Sequence, residues 1–305
     1  MKFIFQYPDL HGADGDMLDA GPVADLAITA ERAGWAGFAF TEHPAPTAKW
    51  LDTGGHQSLD PFVALAHVAA VTTDLRLLTY LAVLPYRNPP LLAKSAATVD
   101  RLSNGRFILG VGTGYLKAEY FALGVDFDER NTLFDEALDV LPLHWAGEPF
   151  DYAGTHFNCR GTIGRPRPVQ QPIPIWIGGN ATLTLRRVAA RAQGWMPLSG
   201  PSAMFGTVRS PEVSTNDDLA ARLAMLKDFA GDRFADLDLV LSYTDRSVYD
   251  LSNDVERHRA AIGELRELGA TWMVVPGPSG AHPQSRDFLQ GFADTYFPPG
   301  FPSRS

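Results

Sequence analysis

The stretch that decides the fold is DRLSNGRFILGVGTGYLKAEYF, residues 100–121. It begins at the end of one helix, and Asn104-Gly105 is a typical signal for a helix C-terminus. RFILGVG is a continuous apolar run of the kind that forms a buried parallel strand. A glycine-rich turn and the helical segment KAEYFALG follow it. The stretch therefore predicts a β-strand that leads through a tight turn into an α-helix.

The same alternation extends over the chain in both directions. Eight strands are predicted, and their sequences are KFIFQY, GFAFTE, LRLLTYLAVL, RFILGVG, IPIWIGG, GWMPLSG, DLDLVLSYT and TWMVVPG. Each is followed by a helical segment, which predicts an α/β fold: a single-domain (β/α)8 TIM barrel over residues 1–305, with insertions at the C-terminal face. A doubly wound open sheet is the competing fold, and it usually has fewer strands.

Three connections are predicted in more detail. Asp60-Pro61 opens the helix after the second strand. The Gly- and Pro-rich segment 147–172 predicts a hairpin inserted before the fifth strand. Residues 199–215 are read as a loop, and Asn216 as the N-cap of the helix that follows.

Composition excludes several classes of protein. The chain of 305 residues has 26 Lys and Arg against 35 Asp and Glu, a net charge of −9, which argues against nucleic-acid binding. The lone Cys159 excludes an internal disulfide and a cysteine-rich metal site. No apolar run approaches the roughly 18 residues of a membrane span, and the first residues lack the features of a signal peptide. We therefore expect a soluble, cytoplasmic protein with no membrane partner.

The barrel fold restricts where chemistry can occur, because such barrels keep their active sites at the C-terminal ends of the strands. The second strand ends in Glu42-His43, an acid beside an imidazole that could be catalytic or merely the end of a strand. The other strand ends contribute Thr79, Tyr80 and Leu81, then Gly112, Thr113, Gly114 and Tyr115, then Gly178, Gly179 and Asn180, and finally Trp195. These residues are expected to surround one pocket.

Two of these strand ends are glycine-rich turns, GVGTGY and IGGN. Glycine lets backbone N–H groups approach a ligand closely, and a helix N-terminus favours negative charge, so either turn could hold a phosphate. Each could equally be only a tight turn. Neither matches a P-loop or the dinucleotide fingerprint, and the histidines show no metal-ligand spacing. Glu42 is the one carboxylate assigned to a strand end, which disfavours a barrel hydrolase.

Three segments carry a resemblance to a known family: DPFVALAHVAAVTTDLRLLT, YRNPPLLAKSAATVDRLSNGRFILGVGTGYLKAEYFALGVDFDER and RPVQQPIPIWIGG. They resemble the bacterial luciferase-like monooxygenase superfamily, and most closely its branch of coenzyme F420 (deazaflavin)-dependent oxidoreductases. The resemblance implies hydride transfer between F420 and an organic substrate. The alternative it allows is an FMN-dependent monooxygenase that uses molecular oxygen, and a third is a non-catalytic flavin-binding protein. Dimers are common in this superfamily, so a homodimer is expected.

The resemblance also implies roles for single residues. His43 would donate or accept a proton, steered by Glu42, which would also touch the cofactor. Histidine suits this role because an imidazole ordinarily has a pKa of about 6.5. A bulge with a non-prolyl cis peptide is implied near Thr79, Tyr80 and Leu81. The two glycine turns would hold the cofactor, the first through Gly112 to Tyr115 and the second through Gly178 to Asn180.

Two departures from the family pattern bear on function. Tyr115 stands where some deazaflavin enzymes have a glutamate, and a phenol is a poor base at neutral pH. Thr113 stands where an arginine would favour FMN, which leans towards the deazaflavin. The chain also lacks a clear equivalent of the lysine and arginine cluster of the glucose-phosphate enzymes, which disfavours a sugar-phosphate substrate.

The substrate is expected to contact the segments that least resemble the family, residues 46–60, 148–170 and 199–216, because long loops at a barrel mouth form lids and specificity walls. Trp50, Tyr115 and Trp195 are the predicted walls of the substrate pocket. Trp50, Met204 and Phe205 hint at an apolar, small organic molecule.

Overall fold

Strands and helices alternate in the computed structural model, which describes residues 1–12 and 14–298. The strands are β1 (Lys2–Gln6), β2 (Gly37–Phe40), β3 (Arg76–Thr79), β4 (Ala82–Val83), β5 (Phe107–Gly112), β6 (Phe150–Ala153), β7 (Asn158–Thr162), β8 (Ile175–Gly178), β9 (Gly194–Met196), β10 (Asp238–Ser242) and β11 (Trp272–Pro276). The α-helices are α1 (Val23–Arg32), α2 (Ala48–Asp52), α3 (Pro61–Val71), α4 (Pro89–Leu102), α5 (Lys117–Ala122), α6 (Arg130–Ala146), α7 (Thr182–Arg191), α8 (Ser202–Val208), α9 (Asn216–Ala230), α10 (Val255–Glu267) and α11 (His282–Tyr296). In the described part of the chain, no helix combines the length and apolar character needed to cross a membrane.

Eight parallel strands close into a barrel. Their order is β3, β2, β1, β11, β10, β9, β8 and β5, and pairing between β3 and β5 closes the ring. The short strand β4 pairs in parallel with the end of β5, while β6 and β7 form a separate antiparallel hairpin. The predicted (β/α)8 TIM barrel is confirmed.

The barrel interior is filled by apolar side chains from every second position of the strands. Residues that share this inner cluster are Ile4, Ala39, Leu78, Ile108, Trp176, Met196, Val240 and Val274. A larger cluster fills the layer between the strands and the outer helices. Because both faces of each strand are buried, the strands appear in the sequence as continuous apolar runs.

The ends of two helices follow the predicted signals. Asp60 caps α3, and its carboxylate accepts the N–H groups of Phe62 and Val63 at 3.0 Å each. At the end of α4, Asn104 and Gly105 adopt positive φ angles of 55° and 83°. Asn and Gly tolerate this left-handed conformation, so the chain can turn directly into β5.

The third predicted strand is broken into β3 and β4. The break lies at Tyr80-Leu81, whose peptide bond is cis, so the predicted non-prolyl cis bulge is confirmed.

The cap of α9 differs from the prediction, because Thr215 rather than Asn216 accepts the N–H of Asp218 in a capping box. The mouth segment 199–215, read as a loop, contains α8.

The inserted hairpin packs along α6, where Glu136 accepts the N–H groups of its tip and Nε2 of His156 lies 3.2 Å from the Glu129 carboxylate just before the helix. Gln170, which follows the hairpin, bonds to Arg76 at the start of β3 and to the carbonyl of Phe107 at the start of β5. A connection that leads from a helix into a strand returns to the N-terminal ends of the strands. No residue of 148–170 lines the described cavity, so substrate contact by this segment stays a prediction. The segments 46–60 and 199–216 follow the C-terminal ends of β2 and β9.

Candidate active site

A cavity of about 400 Å³ opens at the C-terminal ends of the strands. Its volume is typical of small-molecule sites. Eleven of the predicted residues line it: Glu42, His43, Tyr80, Leu81, Gly112, Thr113, Gly114, Tyr115, Gly178, Gly179 and Asn180. The cavity is also lined by His56, Glu119, Arg130, Arg187 and Arg209, none of which was singled out from the sequence.

His43 is held by a carboxylate that the sequence analysis missed. Its Nδ1 lies 3.3 Å from Oε2 of Glu119, which is only 1% exposed. The hydroxyl of Tyr86 donates to the same oxygen at 3.0 Å, and the N–H of Ala45 donates to Oε1 at 3.3 Å. An Nδ1–H that donates to Glu119 leaves Nε2 of His43 as the atom that can exchange a proton with a ligand.

Glu42 lines the cavity, but its carboxylate is held by Arg87 and Val83 rather than by His43. Its Oε1 accepts hydrogen bonds from Nε of Arg87, at 2.9 Å, and from the Arg87 Nη2, while its Oε2 accepts the N–H of Val83 at 2.7 Å. Burial raises the pKa of the Glu42 carboxyl, and the Arg87 guanidinium opposes that rise. Consecutive residues of an extended segment point to opposite sides, so Glu42 cannot steer its neighbour His43. Glu119 takes that place, and Glu42 anchors β4 and the segment after it.

A second imidazole lies beside the first. The rings of His43 and His56 are 4.8 Å apart and nearly perpendicular. Nδ1 of His56 lies 3.5 Å from the carboxylate of Asp9, which follows β1. Burial lowers the pKa of His56 and raises that of Asp9. Asp9 is thus a second carboxylate near a strand end, and the statement that Glu42 alone qualifies was wrong.

Two aromatic side chains flank His43 as well. The Trp50 ring packs against the imidazole with centroids 4.5 Å apart, and the Tyr115 ring lies 6.1 Å away. Burial, with the charge of Glu119, raises the pKa of Tyr115 to about 12. Tyr115 therefore stays a neutral phenol at physiological pH and cannot act as a base.

The glycines of the two turns serve different purposes. A Cβ on Gly112 would lie 2.5 Å from the Leu81 side chain, and one on Gly178 would lie 2.3 Å from it. These two positions need glycine because a larger side chain would collide with Leu81. Gly179 differs, because its φ is +111° and a Cβ there would meet nothing nearer than Thr184 at 3.5 Å. The open space at the start of α7 is the place where a ligand could approach the backbone.

Three predicted site residues support the cavity wall through hydrogen bonds. The fully buried Asn180 donates to the carbonyls of Leu198 and Pro211 and accepts the N–H of Leu198. Trp195 is fully buried and does not line the described cavity. Its indole N–H donates to the carbonyl of Gly179 at 2.9 Å. The Thr79 hydroxyl donates to the carbonyl of Gly110. The side chains of these residues hold the turns in place.

The far end of the cavity is positively charged. Arg187 is buried and bound to both carboxylate oxygens of Asp135, at 2.7 and 2.9 Å. Arg130 and Arg209 line the same end. The cavity therefore combines apolar wall residues, among them Leu81 and Met196, with a positively charged end.

The comparison with protein families decides the classification. A model described as luciferase-like monooxygenase matches residues 1–209. The chain belongs to this family. An uncharacterised protein of Mycobacterium tuberculosis is 36% identical over 177 residues, covering 58% of this chain and 57% of the relative. The chain thus spans about half the length of the curated relatives that it matches first.

Two further relatives of this luciferase-like chain resemble it over most of its length. An F420-dependent glucose-6-phosphate dehydrogenase of Gordonia bronchialis is 26% identical over 298 residues, covering 88% of this chain and 84% of the dehydrogenase. The crystal structure of monooxygenase RslO1 from Streptomyces bottropensis superposes with a TM-score of 0.77 and 22% identity, covering 97% of this chain and 98% of the other. At that identity the structural likeness shows a shared fold.

Proposed function

We propose that this protein is a coenzyme F420-dependent oxidoreductase that transfers a hydride between the deazaflavin and a small organic substrate. The observation that carries the proposal is His43 in the cavity wall, with Nδ1 at the buried Glu119 carboxylate. Hydride transfer to or from a carbonyl compound requires a matching proton transfer, and an oriented imidazole supplies it. The likeness to the F420-dependent dehydrogenase of Gordonia bronchialis supports this cofactor.

The chain's own residues have separate tasks in this mechanism. When bound, the deazaflavin supplies the hydride donor or acceptor. Glu119 holds the His43 ring through Nδ1, so that Nε2 can give a proton to the substrate oxygen or take one from it. Trp50 and Tyr115 shield the imidazole from water on its flanks. The turn at Gly179 and the positive end of the cavity would hold the anionic part of the cofactor.

The second candidate is an FMN-dependent monooxygenase that activates molecular oxygen. It is favoured by the description of the family as luciferase-like monooxygenases and by the fold shared with a Streptomyces monooxygenase. His43, oriented by Glu119, would supply a proton in this reaction too. The two candidates differ in cofactor and in their need for oxygen.

Turnover under controlled oxygen separates the candidates. Purified protein is mixed with reduced F420 and a panel of aldehydes, ketones and enones without oxygen, and the oxidised cofactor is followed by its absorbance. We expect substrate-dependent oxidation for at least one compound class. Turnover only with reduced FMN and only in the presence of oxygen would contradict the proposal.

The homodimer also remains a proposal, and it has support from the outer helices. Val63 on α3 is 71% exposed and Leu91 on α4 is 69% exposed, although both are aliphatic. The two helices pack side by side, so these side chains belong to one outer face of the barrel. Sedimentation of wild type and of Val63→Glu tests it: we expect a dimer and a monomer, and a monomeric wild type would contradict it.

A further inference from the structure

Three cations surround one aromatic ring at the rim of the cavity. The Phe127 ring centroid lies 4.9 Å from Nζ of Lys117, 4.1 Å from Cζ of Arg130 and 5.6 Å from Cζ of Arg209. The three come from α5, α6 and the residue after α8, which are separate parts of the chain. Phe127, Arg130 and Arg209 line the cavity. We call Lys117, Arg130 and Arg209 the cation cluster.

In the described part of the chain, the cation cluster has no acidic partner. Within the residues that the structure describes, no carboxylate lies at ion-pair distance from any of the three. Asp126 and Asp128 flank Phe127 in sequence but do not line the described cavity. Three positive charges without a carboxylate partner thus converge on one ring at the cavity rim. Their position suits an anionic ligand that enters the cavity.

Hydrogen bonds of residues next to the cation cluster in the chain connect it to the second glycine turn. Arg187, one turn into α7, bonds to the Asn131 side chain at 3.1 Å, and Asn131 follows Arg130 in α6. On the other side, Asn180 bonds to the carbonyl of Pro211, two residues after Arg209. The open turn at Gly179 and the cation cluster therefore belong to one continuous wall. A ligand held at the turn can extend along this wall to the rim.

The charge distribution favours a ligand with several negative groups. Arg187 is already neutralised by Asp135, so the unpaired charge of this end comes from the cation cluster alone. Lys117 and Arg209 are exposed, and their long side chains can follow an extended, mobile chain. A ligand with a single phosphate would be satisfied at the turn and would leave the cluster without a partner. A phosphodiester followed by carboxylates would use both.

We propose that the cation cluster binds the anionic tail of the cofactor, the part of F420 in which glutamate residues follow the phosphodiester. This proposal rests on the proposed function and extends it, because it names the residues by which the chain would select a multiply charged deazaflavin over a flavin mononucleotide. The tail would lie along Phe127, and Arg130 and Arg209 would contact its carboxylates.

The test compares the binding of two deazaflavins by fluorescence titration at low and high salt. One probe is F420 with its glutamate tail, and the other has the same ring and ribityl chain without phosphate or glutamates. The variant carries Arg130→Gln and Arg209→Gln, and the matched control carries Arg266→Gln, which removes an exposed cation at the far end of α10. All the altered side chains lie at the protein surface or partly exposed, so folding is preserved.

We expect the double variant to bind tail-bearing F420 about tenfold more weakly at low salt, because each partly exposed ion pair contributes modestly. Its affinity should also depend less on salt. The tail-less probe should bind wild type and variant within about twofold, and the control should match wild type. Equal affinity of wild type and double variant for tail-bearing F420 would overturn the proposal while leaving the proposed function intact. If wild type bound neither deazaflavin, the proposed function itself would fail, and the role of the cluster with it.

Discussion

Glu119 and His43 are 76 positions apart in the chain, yet their side chains meet with Oε2 and Nδ1 3.3 Å apart. His43 follows β2 and Glu119 lies in α5, so closure of the barrel is what brings them together. The carboxylate is almost fully buried and accepts two further hydrogen bonds, from Tyr86 and Ala45. The imidazole is therefore oriented by a fixed partner, which is the arrangement expected of a proton-transfer group.

Replacement of Glu119 by glutamine tests this orientation. The amide is isosteric but accepts the Nδ1–H more weakly than a carboxylate does, so the ring is oriented less firmly and turnover should fall about tenfold or more. Cofactor affinity should stay within about threefold, because Glu119 faces His43. Oxidation of reduced F420 by the most active probe compound measures the rate, and Glu129→Gln, at an exposed site paired with His156, is the control. Unchanged turnover in Glu119→Gln would remove Glu119 from the mechanism.

Replacement of His43 by alanine removes the proton donor itself. We expect F420 affinity to change by no more than a few-fold and turnover to fall by roughly 10² to 10⁴, the usual contribution of general acid–base catalysis. The fall should appear in kcat rather than in KM. His67→Ala, on helix α3, is a suitable control. A His43→Ala enzyme with wild-type kcat would show that another group moves the proton.

Replacement of Arg87 by methionine leaves the Glu42 carboxylate buried without its cation. Breaking such a pair costs about 3–5 kcal/mol, and because Arg87 is 25% exposed we expect about 3 kcal/mol in urea unfolding. Adding Glu42→Gln should restore at least half of the loss. Stability of Arg87→Met equal to wild type would contradict the assigned role of the pair.

The same variant has a definite pH dependence. Burial already raises the pKa of Glu42 in the folded protein, and loss of Arg87 raises it further. The folded variant then binds more protons than its unfolded chain, so its free energy of unfolding rises as the pH falls. The deficit relative to wild type should shrink between about pH 7 and about pH 5. A deficit that grows over this range would mean that the carboxylate is not the unpaired group.

Replacement of Asn180 by alanine distinguishes a structural side chain from a ligand contact. The amide satisfies three backbone groups, so its loss should cost about 2–3 kcal/mol of unfolding free energy. Thermal and urea unfolding of the protein without cofactor measure that cost. A variant as stable as wild type that binds F420 much more weakly would instead assign Asn180 to the cofactor.

The sequence predicted the barrel because local signals and long-range topology agree in this chain. The caps at Asp60 and Asn104-Gly105, the buried parallel strands and the turn residues all indicate the same alternation. The N-cap of α9 was predicted one residue too late, because Thr215 and Asn216 are both good capping residues. The hairpin before the fifth barrel strand was predicted correctly from its Gly- and Pro-rich sequence.

The sequence predicted those cavity residues that lie at the ends of strands. His43, Tyr80-Leu81 and the glycine turns follow directly from the strand count. Glu119 was missed because it lies inside α5, where a glutamate is ordinarily read as solvent-exposed. Asp9, His56 and Arg209 lie in loops, whose paths the sequence pattern does not determine.

The central claim, a site built for a deazaflavin, is tested most directly by titrating the purified protein with F420 and with FMN while following fluorescence. The account predicts that F420 binds saturably with a one-to-one stoichiometry and that FMN binds at least about tenfold more weakly, since its single phosphate leaves the cation cluster without partners. Tight binding of FMN with no binding of F420 would contradict it.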